Sequence, residues 1–154
     1  MAEPQGPLMS PGFWLHHAAL EWRATVERNL RPLGLTLTQF NLLASAGWLG
    51  RQGEPPTQQQ VVDMAGADRM MGSRVIRVLE DRTLLTRRPD PDDARILRIE
   101  VTSEGRALAR RAIRIVVDTD EQFFGADSDA LRDRLESIAA QRIANCRKPV
   151  AGTS

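Results

Sequence analysis

The sequence predicts a mainly α-helical fold with a small β-hairpin, namely a winged helix-turn-helix flanked by N- and C-terminal dimerisation helices. First, apolar residues recur every three or four positions along most of the chain, which is the period of a helix face. Second, this period falls to two between residues 84 and 101, where paired strands are expected. Third, a short helix, a tight turn and a longer helix come directly before that stretch, as in a helix-turn-helix followed by a wing.

Two helices precede this central motif. The apolar period predicts a helix over residues 12–30, which a following proline and glycine end. Its apolar face consists of Leu15, Ala18, Trp22, Val26 and Leu30. Thr36 and Gln39 have the spacing of a capping box and open a second helix that ends near Gly50. Its apolar face consists of Phe40, Leu43, Ala44 and Gly47.

The helix-turn-helix comes next. Thr57 and Gln60 repeat the capping-box spacing and open a short third helix, which stops at Gly66. Asp68 is a favourable N-cap for a fourth helix that runs to about Arg82. The predicted inward face of this helix consists of Met71, Val75, Val78 and Leu79.

A hairpin and two long helices complete the fold. Residues 84–89 predict one strand and residues 97–101 a second, because apolar and polar residues alternate around an Asp-Pro-Asp-Asp turn. Thr102 caps a helix over residues 103–124, and a last helix covers residues 127–146. Their apolar faces consist of Leu108, Ala112, Ile115, Thr119 and Phe123, and of Leu131, Leu135, Ile138, Arg142 and Cys146.

The overall composition is that of an ordinary globular protein. The 154 residues include 21 basic and 20 acidic side chains, and 42% are hydrophobic. This balance excludes a bulk polycation and global disorder, so a nucleic-acid role requires local charge placement. Lys148 is the only lysine among the basic residues. Arginine suits bidentate contacts to phosphates and bases, although genome base composition produces the same bias.

The ends of the chain and its single cysteine indicate a cytoplasmic location. Residues 1–11 contain three prolines and lack the apolar core of a signal peptide, so they predict a flexible arm. Residues 148–154 predict a tail, and no apolar run approaches the length of a membrane span. Cys146 is the only cysteine, so it cannot form an internal disulfide, and we expect it to be a small buried residue. The sequence does not establish a redox role for it.

The fourth helix concentrates positive charge. Residues 69–78 carry three arginines and no acid, and the charge of this window is +3 in a chain whose net charge is +1. Residues 105–117 are also basic, whereas residues 118–136 carry seven acids against two arginines. The outward residues of the fourth helix are predicted to be Arg69, Met70, Ser73, Arg74 and Arg77. After a short helix and before a hairpin, such a face favours insertion into the DNA major groove over a merely solvated basic surface.

Two neighbouring segments supply further candidate DNA contacts. The third helix offers Thr57, Gln58 and Gln59, and the hairpin offers Asp93, Arg95 and Arg98. Asp93 lies two residues before Arg95 and is predicted to hold its guanidinium by a charge-assisted bond. Such an arginine suits the negative potential of a narrow minor groove, although the pair also suits bracing of the hairpin tip.

Residues 35–109 resemble the MarR family of bacterial transcriptional regulators. The resemblance rests on the motifs Leu-Thr-Leu-Thr-Gln-Phe from residue 35, Val-Leu-Glu from residue 78, Asp-Pro-Asp-Asp-Ala-Arg from residue 90 and Val-Thr-Ser-Glu-Gly from residue 101. The acidic turn with its arginine, followed by Val-Thr and glycine, is the most diagnostic part. The sequence departs from the family at Thr83, where glycine is frequent.

The resemblance implies a domain organisation and a function. Residues 12–34 and 103–147 would form a helical dimerisation layer, and residues 35–102 a winged helix-turn-helix DNA-binding domain. The implied function is a homodimer on a pseudo-palindromic double-stranded DNA operator, usually a repressor released by a small aromatic or phenolic effector or by oxidation. The apolar stripes of the terminal helices support the dimer independently, because a chain of this length cannot easily cover them.

The effector site is the least defined part of the sequence. Aromatic and titratable residues concentrate near the first two helices, and related regulators place the pocket between the dimerisation layer and the winged helix. The candidate pocket residues are Trp14, His17, Trp22, Phe40 and Trp48. A cluster at helical spacing is also typical of a core or an interface. His16 and His17 are adjacent, so they point to different sides of a helix and form no metal pair.

Two other classes of function fit the sequence less well. The sequence contains no Gly-rich phosphate loop, no zinc-protease motif, no nucleophile elbow and no cysteine-histidine array, so it predicts neither an enzyme nor a cofactor or metal site. The alternative to DNA binding is a winged helix that binds a partner protein through the same face. That alternative predicts little dependence of binding on salt or on DNA sequence.

Overall fold

The computed structural model describes residues 6–146, and it has the predicted order of elements. The helices are α1 (Pro11–Leu30), α2 (Leu37–Gly50), α3 (Gln58–Met64), α4 (Arg69–Asp81), α5 (Ser103–Phe124) and α6 (Ser128–Cys146). Strands β1 (Leu85–Pro89) and β2 (Leu97–Val101) pair antiparallel and form the wing, with Arg87 opposite Ile99. The predicted tail at 148–154 and the first five residues of the predicted arm lie outside the described residues.

The predicted helix caps are confirmed. Gln39 N donates to Thr36 Oγ1 at 3.1 Å, and the Gln39 side chain accepts from Thr36 N at 3.1 Å. The same reciprocal pair joins Thr57 and Gln60 at the start of α3. Each capping box satisfies two backbone donors that the first turn leaves unpaired. These local bonds therefore set where α2 and α3 begin.

Two buried clusters hold the helices together. The first lies inside the winged helix and joins α2, α3 and α4 to the wing. Its buried members are Leu42, Leu43, Ala46, Leu49, Val61, Val62, Ile76, Leu79, Leu84, Leu85 and Ile99. The second joins α1 and α5 to α2, and its buried members are Val26, Leu30, Leu35, Leu37, Phe40 and Ala112. Because α2 contributes to both clusters, it is buried on more sides than the single predicted face.

The predicted inward face of α4 is partly wrong. Met71 is 54% exposed and Val78 is 42% exposed, whereas Gly72, Ile76 and Leu79 are buried. The physical reason is a close approach between α3 and α4 at Gly72. A Cβ atom there would lie 2.8 Å from Cγ2 of Val62, so the glycine allows α4 to turn this side toward α3.

The turn between α4 and β1 contains a strained residue. Thr83 has φ 60°, the one positive φ among the non-glycine residues from 6 to 146. A left-handed conformation is costly for a β-branched side chain, whereas glycine adopts it without steric cost. Its hydroxyl lies 3.0 Å from Oε2 of Glu104, and Thr102 Oγ1 donates to the Thr83 carbonyl at 2.7 Å. These interactions with the start of α5 stabilise the turn and offset the conformational cost of Thr83.

We expect Thr83→Asn to stabilise the fold by about 0.5–1 kcal/mol, because asparagine adopts the left-handed region at lower cost. Urea unfolding followed by circular dichroism measures the change. Thr83→Val retains the branching without the hydroxyl and isolates the contribution of the hydrogen bond. An asparagine variant less stable than the unmodified protein would contradict this account of the turn.

The terminal regions differ from the sequence prediction in two respects. Pro7–Met9 form a 3-10 turn within the segment predicted to be a flexible arm, and Trp14 Nε1 donates to the Leu8 carbonyl at 2.8 Å. Cys146 is partly exposed at the end of α6 instead of buried, because α6 buries none of its residues in the single chain. No helix within residues 6–146 is long and apolar enough to cross a membrane.

Candidate nucleic-acid interface

The outer face of α4 presents the predicted arginines. Arg69, Met70, Arg74 and Arg77 are exposed, and Ser73 is partly buried. Asp68 Oδ1 accepts from the backbone N–H groups of Met70 and Met71 at 3.1 and 3.0 Å, which fixes the start of the helix. These arginines have no ion-pair partner within residues 6–146, so their charge is available to an anionic partner.

The three predicted residues of α3 have different roles in the structure. Thr57 is 2% exposed, and its hydroxyl caps α3 at the edge of the groove described below. Gln58 Nε2 donates to Ser73 Oγ at 3.3 Å and thereby joins α3 to the exposed face of α4. Gln59 is exposed, and its Nε2 donates to Asp63 Oδ1 at 2.6 Å.

The wing carries the predicted pair of Asp93 and Arg95. Arg95 Nε and Nη2 donate to the two oxygens of Asp93 at 2.9 Å each, while the arginine side chain is 88% exposed. The hydrogen bond from the Arg95 side chain holds the pKa of Asp93 below its ordinary value, and the same bond raises the pKa of Arg95. The pair therefore fixes the direction of a guanidinium that solvent surrounds.

Arg98 does not lie at the wing tip. Its Nε donates to Asp90 Oδ2 at 2.6 Å, and its Nη1 donates to the Pro55 carbonyl at 2.8 Å. Asp90 Oδ1 also accepts from the backbone N–H groups of Asp92 and Asp93, so it organises the whole turn. Arg98 thus braces the wing against the segment before α3, and its contact with DNA stays a prediction. Asp90 begins the predicted Asp-Pro-Asp-Asp turn, but no local signal in the sequence indicated that its carboxylate binds Arg98.

The wing turn responds to pH through Asp90. The side-chain hydrogen bond from Arg98, then those from the Asp92 and Asp93 backbone, lower the pKa of Asp90 from its ordinary value of 3.8. A lowered pKa in the folded state means that this stabilisation is complete well above pH 3.8 and is lost as pH falls through the folded-state pKa.

We expect the amide resonances of Asp92 and Asp93 to shift with a midpoint below 3.8 in an NMR titration, since both amides donate to Asp90. Asp90→Asn removes the titrating group and should abolish that component of the shift. A midpoint at or above 3.8 would show that the bonds to Asp90 do not favour its charged form.

One open groove brings α3, α4 and the wing together. Its volume is about 450 Å³, and Gln58, Arg69, Ser73 and Arg95 contribute polar atoms to its walls. Arg69, Met70, Ser73, Arg74 and Arg77 also line a second, shallower surface along α4. A cationic groove beside an exposed helix is the arrangement that duplex DNA requires, with phosphates at the walls and base edges at the helix.

The five candidate effector residues lie in different parts of the structure. Trp22 and Phe40 belong to the cluster around α1 and α5, whereas Trp48 packs against the core of the winged helix. Trp14 is exposed, and His17 lies against Phe13 with ring centroids 4.4 Å apart. None of the five lines the cavities described in this subsection, and their role in an effector site stays a prediction.

The fold and the groove together define a winged-helix DNA-binding protein. The MarR family model matches residues 35–97. The chain is 35% identical over 121 residues to the uncharacterized HTH-type transcriptional regulator YdcH of Bacillus subtilis. The aligned segment covers 79% of this chain and 82% of that protein.

Solved structures agree with this match. A MarR-family transcriptional regulator from Rhodococcus sp. RHA1 is 30% identical with a TM-score of 0.74, covering 83% of this chain and 91% of that one. CouR from Rhodococcus jostii RHA1, bound to p-coumaroyl-CoA, is 29% identical with a TM-score of 0.74, covering 88% and 96%. The repressor CouR bound to a 23-mer DNA duplex is 28% identical with a TM-score of 0.73, covering 90% and 99%.

The chain belongs to the MarR family and is a DNA-binding transcriptional regulator. This family is non-enzymatic, in agreement with the sequence prediction. The family assignment also disfavours the alternative of a winged helix devoted to protein partners.

Proposed function

We propose that this regulator is a ligand-responsive repressor that reads a pseudo-palindromic operator as a homodimer. The observation that carries the proposal is the shared groove in which Arg69 and Ser73 of α4 face the exposed Arg95 of the wing. The α4 side chains reach base edges in the major groove, and the wing arginine reaches the adjacent minor groove. Arg77 lies further along α4 and neutralises phosphates.

The homodimer is supported by apolar residues that the single chain leaves exposed. Most of the exposed large apolar residues lie on α1, α5 and α6, although α4 also exposes Met70, Met71 and Val78. Those on α1, α5 and α6 are Trp14, Leu15, Leu20, Ile113, Val117, Leu131, Leu135, Ile138 and Ile143. Apolar residues spread over three helices favour burial against a second copy. Two-fold symmetry then places two copies of α4 about one DNA turn apart.

The repressor role and the ligand response rest on similarity. CouR, a transcriptional repressor, has been solved both with a DNA duplex and with p-coumaroyl-CoA. We infer a small aromatic or phenolic effector for this chain by the same relationship. A cytoplasmic location follows from the proposed role.

The test starts from a duplex enriched by the purified full-length protein from a random library. Affinity is then measured for this duplex and for a scrambled version at two salt concentrations. The proposal expects tight binding of the enriched duplex by a dimer and a steep loss of affinity with salt, because phosphate contacts release counterions. Equal affinity for both duplexes, or binding that salt leaves unchanged, would favour the protein-interaction alternative.

We expect Arg95→Ala to weaken binding to the enriched and scrambled duplexes alike. A wing arginine responds mainly to the negative potential and the width of the minor groove, and these are read without contacts specific to one base. Arg74→Ala is expected to lose about 1–3 kcal/mol on the enriched duplex and less on the scrambled one, which relaxes sequence preference. Fluorescence anisotropy at fixed salt measures both effects.

Arg132→Ala is the matched control for these variants. Arg132 pairs with Asp129 and Asp133 on α6 and lines neither groove surface, so its loss should leave affinity unchanged. Unaltered affinity of the Arg95 and Arg74 variants for both duplexes would exclude the wing side of the groove and the outer surface of α4 from the interface.

A further inference from the structure

A hydrogen bond joins the first residue of α3 to the outer face of α4. Gln58 Nε2 donates to Ser73 Oγ at 3.3 Å. Ser73 lies one helical turn from Arg69 and one from Arg77, and it lines both the groove and the shallower surface along α4. Its hydroxyl is therefore an uncharged polar group on the face that reads base edges in the proposed function.

The Gln58 amide has a defined direction. Its Oε1 is buried and has no hydrogen-bond partner within residues 6–146. If the amide were reversed, the same buried place would hold an NH₂ group with two donors instead of one carbonyl oxygen. Buried N–H groups without a partner are rarer in proteins than under-satisfied carbonyl groups, so the observed direction is the less costly one. In this bond Gln58 is consequently the donor and Ser73 the acceptor.

This direction leaves the Ser73 proton for another partner. A serine hydroxyl has one O–H donor and two lone pairs, and here one lone pair accepts from Gln58. Ser73 makes no other hydrogen bond in the part of the chain from residue 6 to residue 146, so its O–H is free to donate. A hydroxyl that accepts one bond is also polarised into a stronger donor for the next. Ser73 is therefore prepared to donate to DNA.

We propose that Gln58 is a positioning residue that makes Ser73 a donor to DNA, so that Ser73 selects a keto base, guanine or thymine, at one position of each half-site. In the major groove guanine O6 and thymine O4 accept where cytosine N4 and adenine N6 donate. The inference rests on the proposed function, in which α4 lies in that groove. An arginine on this face can only donate, whereas serine can donate or accept. The partner of Ser73 in α3 therefore decides which base edge it fits.

The experiment selects duplexes from a random library with the full-length protein and with each variant, and sequencing of the bound duplexes gives the base preference at every position. Ser73→Ala identifies the position that Ser73 reads, because the preference should be lost there alone. We expect the unmodified protein to favour guanine or thymine at that position by about three- to tenfold, as for the net contribution of one hydrogen bond.

Two changes at Gln58 separate positioning from polarity. Gln58→Met removes the amide at similar length and should weaken the preference at this one position, whereas a merely structural role would alter all positions alike. Gln58→Glu supplies a carboxylate that accepts the Ser73 proton, so Ser73 should then favour the amino bases, cytosine and adenine.

Gln59→Glu is the matched control for the added charge. Gln59 follows Gln58 on α3, and its side chain donates to Asp63 and not to Ser73. This variant should bind every duplex more weakly, because its charge repels phosphates, and should keep the preference for a keto base.

The outcomes separate this inference from the proposed function. A keto-base preference that both Gln58 variants retain would overturn the inference, and so would a Ser73→Ala variant that changes no base preference, although the protein would still select one sequence. Loss of the preference in Gln58→Glu without reversal would support positioning and overturn the donor assignment, as would an amino-base preference of the unmodified protein. A library from which the unmodified protein enriches no sequence would overturn the proposed function and this inference with it.

Discussion

Gly105→Ala is expected to destabilise the protein by about 3 kcal/mol or more, a large part of the stability of a domain this size. An added Cβ would lie 1.9 Å from the Leu84 carbonyl oxygen and 2.9 Å from Cγ1 of Val101. The carbonyl cannot easily move, because it accepts from Thr102 N at 3.1 Å and so joins the wing to the start of α5. Relief of the clash must separate α5 from the wing.

Urea unfolding of the full-length protein measures this change, with a lower midpoint and an unchanged dependence on denaturant expected. Gly47→Ala is the matched control, since Gly47 lies inside α2 and its added Cβ would come no closer than 4.0 Å to Arg51 Nη1. That variant should be more stable by about 0.5–1 kcal/mol, as alanine is favoured over glycine within helices. A Gly105 variant as stable as the Gly47 variant would contradict the close approach.

Ile138→Asp is expected to dissociate the homodimer and to lower operator affinity by about 100-fold or more. Ile138 is 69% exposed in the single chain and belongs to the apolar stripe of α6 that also contains Leu131 and Leu135. A charge placed there would be buried without a partner when two copies associate. Each monomer would then bind one half-site without the gain from two linked contacts.

Sedimentation velocity and duplex binding measure the two consequences. Ser137→Asp adds the same charge about 100° around α6 from Ile138, outside the apolar stripe, where Ser137 Oγ donates to the Arg134 carbonyl, and it should leave the dimer intact. A monomeric Ile138 variant with full affinity would refute the requirement for a dimer, and a dimeric one would remove this face from the interface.

Local signals explain the parts of the fold that the sequence predicts well. The capping boxes at Thr36 and Thr57 need residues three positions apart, and the hairpin needs alternation around one acidic turn. The pairing of Asp93 with Arg95 spans two residues and is also found as predicted. Such interactions depend on neighbours along the chain, so a single sequence contains the information to place them.

Contacts between distant segments explain the parts that differ. The inward face of α4 depends on the fit of Gly72 against Val62, and apolar periodicity alone selected Met71 and Val78 instead. Arg98 lies in a strand next to a turn, yet its partner Pro55 precedes it by 43 residues. The predicted effector residues share an aromatic character that does not determine whether they meet, and they separate into two clusters and an exposed end.

The sequence by itself determined the order of the elements, their caps and the basic face of α4, because periodicity, capping and charge are properties of adjacent residues. Only the tertiary structure decided that Arg98 braces the wing against the segment before α3. It also decided that the Gln58 amide meets the Ser73 hydroxyl, a contact that no motif predicts. The physical reason is that packing at glycines and bonds between separate helices orient these side chains, and neither leaves a pattern along the chain.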